Sequence, residues 1–171
     1  MIRKKSRYVK PRKLYIKDRI KEENVLVSKY ALKSKTEIWK TAAKINYFRK
    51  RAMALAKSSR EEQQILFNKL KTIGLKIDTT ADVLALKTED LLERRLPMVV
   101  FKKGLAQTPQ QARQMIVHKK VLIEDKIVNV PSYIVSLQEE SSITVKPAKQ
   151  KKLVEKKEET VETSNPPEVA Q

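Results

Sequence analysis

The sequence predicts an α+β protein: a helical N-terminal body, then a small module of helices packed on a hairpin-rich sheet, then a disordered C-terminal tail. Three observations point there. Apolar residues recur at helical spacing as far as about His118. The period then changes to short β-branched runs separated by polar turns. Beyond residue 146 no period remains, and Lys, Glu, Thr, Ser and Pro dominate. The expected divisions are 1–93 (basic arm and helical body), 94–146 (the module) and 147–171 (the tail).

Taken in order, residues 1–19 read as an extended arm. Arg3, Lys4, Lys5, Arg7, Lys10, Arg12 and Lys13 are interleaved with Tyr8, Pro11 and Tyr15, with no helical period and little to bury. Such arms order on a polyanion, and their tyrosines either stack on bases or pack on the body. Ser34 with Glu37 fits a capping box. Ile38, Ala42, Ile45, Ala52 and Ala56 then form one stripe of a helix over about 35–57, with Lys40, Lys44 and Arg51 opposite. Arg49 interrupts the stripe, so either the helix bends there or the side chain snorkels to an anion. Trp39, on the stripe's edge, reads as core rather than as a stacking platform.

Ser59 and Glu62 make a second box, followed by Ile65, Leu66, Leu70 and Ile73 before Gly74 stops the helix. Thr79 with Asp82 starts a short helix through Leu86. Thr88 starts another over Glu89 to Leu96, with Leu91 and Leu92 inward. Thr108-Pro109-Gln110-Gln111 supplies a hydroxyl cap, a first-turn proline and a box-closing glutamine. The stripe of that helix is Ala112, Met115 and Ile116, with Arg113 facing away. Four strand-like runs follow: Val121 to Ile123, Ile127 to Val130, Tyr133 to Leu137 and Ile143 to Lys146.

Charge narrows the function. Lys and Arg number 38 against 20 Asp and Glu, a net charge of +18. The excess is segregated. Residues 1–60 hold 20 basic and 4 acidic side chains, 61–93 hold 4 and 7, and 94–150 hold 10 and 4. Two basic regions flank an acidic one, which points to a polyanionic partner. With no cysteine and one histidine, Cys-ligated zinc, a thiol nucleophile and a multi-histidine metal site are excluded. No apolar run approaches the ~20 residues that span a bilayer. The basic N-terminus lacks the apolar stretch of a secretory signal, so a cytoplasmic protein is expected. A membrane-surface role is not expected either, because the basic residues lack a matching bulky apolar face.

An ordered set of residues is more specific than charge. It comprises Arg94-Arg95-Leu96, Val100, Gly104-Leu105-Ala106, Ala112-Arg113-Gln114, Ile116 and His118, then Val121, Ile123, Val128, Pro131-Ser132-Tyr133, Val135, Ile143 and Val145. In this order it resembles the S-four RNA-binding domain. Upstream, Lys29-Tyr30-Ala31-Leu32-Lys33, the Trp39 helix and Leu91-Leu92-Glu93 resemble the small-subunit ribosomal protein S-four family, and the short cysteine-free arm resembles its archaeal branch. Three positions depart from the pattern. His118-Lys119-Lys120 stands where the domain usually has His-Gly-His, Glu124-Asp125 where hairpins often have Asn-Gly, and Glu139-Glu140 where Gly-Asp is expected.

The resemblance implies a structural protein of the small ribosomal subunit that binds small-subunit rRNA near a multi-helix junction of the 5′ domain, joins assembly early and contacts neighbouring ribosomal proteins. It extends to messenger RNA near its entrance channel as a further partner. A ribosome-biogenesis factor built on the same module is the alternative. Enzymes that carry this module have a separate catalytic domain, for which the flanks leave no room. No cofactor, metal or small-molecule substrate is expected. Structured RNA presents phosphates and a shallow minor groove, so fixed guanidinium and ammonium groups are the residues to look for. In the module these are Arg94, Arg95, Lys102, Lys103, Arg113, His118, Lys119 and Lys120, with Arg113 first. In the body they are Lys44, Arg49, Lys50 and Arg51, joined by the seven cations of the arm. Alternatives stand beside these: Arg94 or Arg95 pairing with Glu93 or Asp90, Lys102 and Lys103 as a solvated turn, and His118 as a helix-dipole partner or a core hydrogen bonder.

Overall fold

A computed structural model describes residues 8–146. The expectations for Arg3, Lys4, Lys5 and Arg7 and for the 147–171 tail lie outside the described residues. Within them, α1 (Lys17–Lys29), α2 (Lys35–Leu55), α3 (Arg60–Thr72), α4 (Thr80–Ala85) and α5 (Thr88–Glu93) come first. Then follow α6 (Leu96–Lys102), α7 (Pro109–Val117), β1 (Val121–Ile123), β2 (Lys126–Ile127), α8 (Leu137–Ser141) and β3 (Ile143–Val145). The sheet is antiparallel in the order β2-β1-β3. The α+β expectation holds.

The apolar stripes meet in three clusters. Ile45, Phe48 and Ala52 of α2 pack with Leu66 and Leu70 of α3, and with Leu75, Ile77, Val83, Leu86 and Leu91. Leu96, Val99 and Val100 of α6 pack with Ala112 and Ile116 of α7 against Val121, Ile123 and Ile143 of the sheet. Tyr30, Leu32, Ile38, Leu92 and Met98 join the two along a seam. Ile65, assigned to the α3 stripe, is 67% exposed; Leu66 and Leu70 are buried, with Phe67 of the same helix partly buried against that cluster.

Several local expectations are corrected. The arm passes into α1 at Lys17, where an extended chain was expected through residue 19. The segment expected over Glu89 to Leu96 stops at Glu93 and restarts as α6, with Pro97 in the first turn where no donor is needed. Tyr133 to Leu137 is no strand. Ile134 bridges Arg95 alone, and Ser136 then caps α8 by accepting from the Glu139 N–H, so Glu139-Glu140 lies in a helix rather than a turn. Neither Ser34 nor Ser59 makes its side-chain cap. Ser34 instead bonds Thr36, and Gln63 donates to the Leu55 and Ser58 carbonyls. The Thr79–Asp82 and Thr108 caps form as expected.

Four helices end in the same way. After α1, α3, α6 and α7 the chain turns left-handed at Ala31 (φ 49°), Gly74 (φ 89°), Gly104 (φ 73°) and Lys119 (φ 58°). At each, two successive N–H groups return to the last-turn carbonyls: after α7, Lys119 to Ile116 and Lys120 to Met115. These are Schellman closures, which satisfy carbonyls that otherwise lack partners. Lys119 thus occupies the left-handed position that glycine fills most easily.

The hairpin behaves similarly. Glu124 (φ 48°) and Asp125 (φ 64°) both take the positive φ of a type I′ turn between Ile123 and Lys126. The departure from Asn-Gly leaves the turn intact at a conformational cost. Replacing the pair by Asn-Gly is expected to raise unfolding stability by about 1 kcal/mol. Urea denaturation measures this, and an unchanged midpoint would show that the turn is unstrained.

Candidate RNA interface

The cations divide by what already occupies them. Lys10, Arg12 and Lys13 are exposed on the arm. Arg19 holds that arm by donating to the Lys13 and Leu14 carbonyls at 2.7 and 2.8 Å. Tyr8 packs on the body, 6.2 Å from the Trp39 ring, with the Lys40 ammonium 5.7 Å from the Tyr8 ring. Trp39 is half-buried and donates its Nε1–H to the buried Glu23, which also pairs with Arg19 and Lys35. This supports the reading of Trp39 as core.

On α2, Lys50 and Arg51 are exposed, with Arg51 bonded to the Tyr47 hydroxyl. Arg49 turns inward and donates to the Leu86 carbonyl, so its partner is a backbone oxygen rather than an anion. Lys44 is solvent-accessible but stands among crowded side chains. Partial desolvation, reinforced by Lys69, lowers its pKa.

In the module, three arginines are held by protein acceptors. Arg94 donates to the Ile73 carbonyl at 2.7 Å, the Val135 carbonyl at 3.3 Å and Glu140 at 2.9 Å. Arg95, with only 7% of its side chain exposed, is paired with Glu37. Arg113, which faces away from its helix's buried stripe as expected, reaches back across the seam. It donates to Glu37 at 2.9 Å and to the Ala31 carbonyl at 3.2 Å. The partners Glu93 and Asp90, considered for Arg94 and Arg95, are not the ones used. Glu93 pairs with Lys102 at 2.7 Å instead, and Asp90 accepts from the Lys87 N–H. Lys103, His118, Lys119 and Lys120 are exposed at the closures of α6 and α7. Tyr133 packs against the module core and donates its hydroxyl to Glu139 at 2.6 Å, a bond that pushes its pKa up to about 12.

Between α2 and the module lies an open cleft of about 320 Å³. Lys40, Thr41 and Lys44 form one wall, Arg95 and Arg113 the other, and Pro131, Ser132 and Ile134 the rim. Glu37 is its one acid among these lining residues, against four cations, so the cleft is positive and has room for a phosphate. Lys40 and Ser132 were not among the residues singled out as site candidates. The available signal for Lys40 was its place one helical turn before Lys44. Among the described residues no group of His, Asp and Glu is placed to hold a metal, and no helix is long and apolar enough to cross a membrane.

The S4 domain family matches residues 94–141. The small ribosomal subunit protein uS4 of Methanococcus aeolicus is 45% identical over 148 residues, covering 82% of this chain and 83% of that protein. The uS4 proteins of Saccharolobus islandicus and Picrophilus torridus are 42% and 40% identical over 149 residues, each covering 82% of this chain and 82% and 81% of the relative.

Proposed function

Because the chain belongs to the uS4 family of small ribosomal subunit proteins, we propose that it is a structural constituent of the small subunit that binds small-subunit rRNA directly. The observation that carries this reading is the positive cleft between α2 and the S4 module, where Lys40 and Lys44 of α2 face a wall of Arg95 and Arg113 fixed by Glu37. Clamping is the mechanism. Two RNA helices repel through their phosphates, and cations held at fixed separations lower that repulsion at the junction where they meet. The direct contacts we assign to the exposed cations: Lys10, Arg12 and Lys13 of the arm, Lys40, Lys44, Lys50 and Arg51 of α2, and Lys102, Lys103, His118, Lys119 and Lys120 of the module. Arg49, Arg94, Arg95 and Arg113 serve instead to hold the frame, because their side chains are buried or half-buried against protein acceptors, whereas the cations assigned to RNA are exposed.

The role is architectural rather than catalytic, and needs no cofactor. The site is the 5′-domain junction of the rRNA, the setting is the cytoplasmic small subunit, and the neighbours are other small-subunit proteins, with mRNA reached near its entrance channel. Crosslinking with sequencing on native particles tests this, together with sucrose-gradient sedimentation in high salt. Retention on mature small subunits with crosslinks at one junction is expected. Confinement to precursor particles would make the protein an assembly factor.

A further inference from the structure

One half-buried acid stands in the middle of the proposed RNA surface, and it holds two arginines from different elements. Glu37 lies in the first turn of α2, where the helix dipole favours a negative charge. Its Oε1 accepts from Arg113 Nη2 at 2.9 Å and from the Lys33 N–H at 3.2 Å. Its Oε2 accepts from Arg95 Nη2, and from Arg113 Nη1 at 3.4 Å. Burial works against the carboxylate's charge, but hydrogen bonds from Arg113 and Arg95 more than offset it and hold its pKa below the usual value. The same Arg113 donates to the Ala31 carbonyl in the left-handed turn that closes α1. One carboxylate therefore ties α2 to the start of α6, to the middle of α7 and, through Arg113, to the α1–α2 turn.

We propose that Glu37 is a positioning residue for RNA binding: its carboxylate fixes Arg95 and Arg113 as one wall of the cleft, so that Lys40 and Lys44 on the other wall meet phosphate at a set separation. This rests on the ribosomal reading above and deepens it. A flexible guanidinium must be ordered when an anion binds, whereas one already latched to Glu37 costs nothing further to order. The latch also fixes the angle between the α2 surface and the S4 module, and hence which two RNA helices fit at once.

The expected effect of losing Glu37 has an unusual sign. In a cleft with four cations, removing the one acid raises the positive charge, and simple electrostatics then tightens RNA binding. A latch predicts the reverse. The test titrates the full chain against a transcript of the small-subunit rRNA 5′ domain at several KCl concentrations, below the unfolding temperature of each variant. Glu37→Gln is expected to bind roughly tenfold more weakly than wild type. Glu37→Asp keeps the charge but is one methylene too short to bridge both arginines. It is expected to weaken binding as well, although electrostatics alone predicts no change.

A second measurement uses the wild type, and so decides the matter even where a variant does not fold. Arginine Nε–H resonances of Arg95 and Arg113 are followed as the transcript is added. They are expected to stay close to their free positions, because the pairs with Glu37 persist in the complex. Should they move as Arg113 leaves Glu37 for a phosphate, the latch is overturned and Arg113 is itself a contact. Equal or tighter binding by Glu37→Gln overturns it too, with the ribosomal reading untouched. If wild type does not bind the transcript, both fail together.

Discussion

Replacing Leu92 by alanine will cost about 3 kcal/mol of unfolding stability and lower Tm by ~10 °C. Leu92 has no exposed surface. It lies in the last turn of α5 in the seam cluster, between Tyr30 and Leu32 beyond α1, Ile38 of α2 and Met98 of α6. Truncation leaves a void lined by the α1–α2 turn, α2 and α6, which the Glu37 pairs also tie together, so the walls have little freedom to collapse. Calorimetry of the full chain measures the loss. A drop below about 1 kcal/mol would mean that the seam repacks, and that the body and the S4 module are more weakly coupled than the shared cluster implies.

The second large effect is on binding. Lys119→Ala with Lys120→Ala is expected to weaken affinity for the rRNA junction roughly tenfold and to lower the salt slope by about 1.5, as for the loss of two phosphate contacts. Both lysines are exposed at the α7 closure, and their backbone N–H groups are fixed by Ile116 and Met115. Lys119→Gly separates charge from conformation. Glycine relieves the positive φ and raises stability by about 1 kcal/mol, yet removes one ammonium. The variant should therefore melt later and bind less well. An unchanged salt slope in the double variant would place the RNA elsewhere on the module.

Much of the fold was legible because hydrophobic spacing marks it. The stripes of α2 and α7 were read from Ile38, Ile45 and Ala52, and from Ala112 and Ile116, all buried. Gly74 announced the end of α3. The α1 helix was not legible because the only residue it buries is Glu23, held by Trp39, Arg19 and Lys35, and a polar anchor leaves no apolar period to find. Ala31 and Lys119 hid their left-handed turns for a related reason: neither is the glycine that signals one. Of the candidate site, residue type and charge could be read. Which guanidiniums are free could not, since Glu37 meets Arg95 and Arg113 across 58 and 76 residues of sequence.

The closure of α3 constrains how this chain can change. A Cβ at Gly74 would sit 2.8 Å from the Arg94 guanidinium, which is pinned to Ile73, Val135 and Glu140. The left-handed φ there adds a second penalty. A larger residue at 74 is thus tolerated only after position 94 has been shortened, whereas shortening 94 first loses the strut but opens the space. The two sites form a pair with a preferred order of substitution, and a historical route between this chain and a variant that differs at both would pass through an intermediate that keeps Gly74 and has a shortened residue at 94.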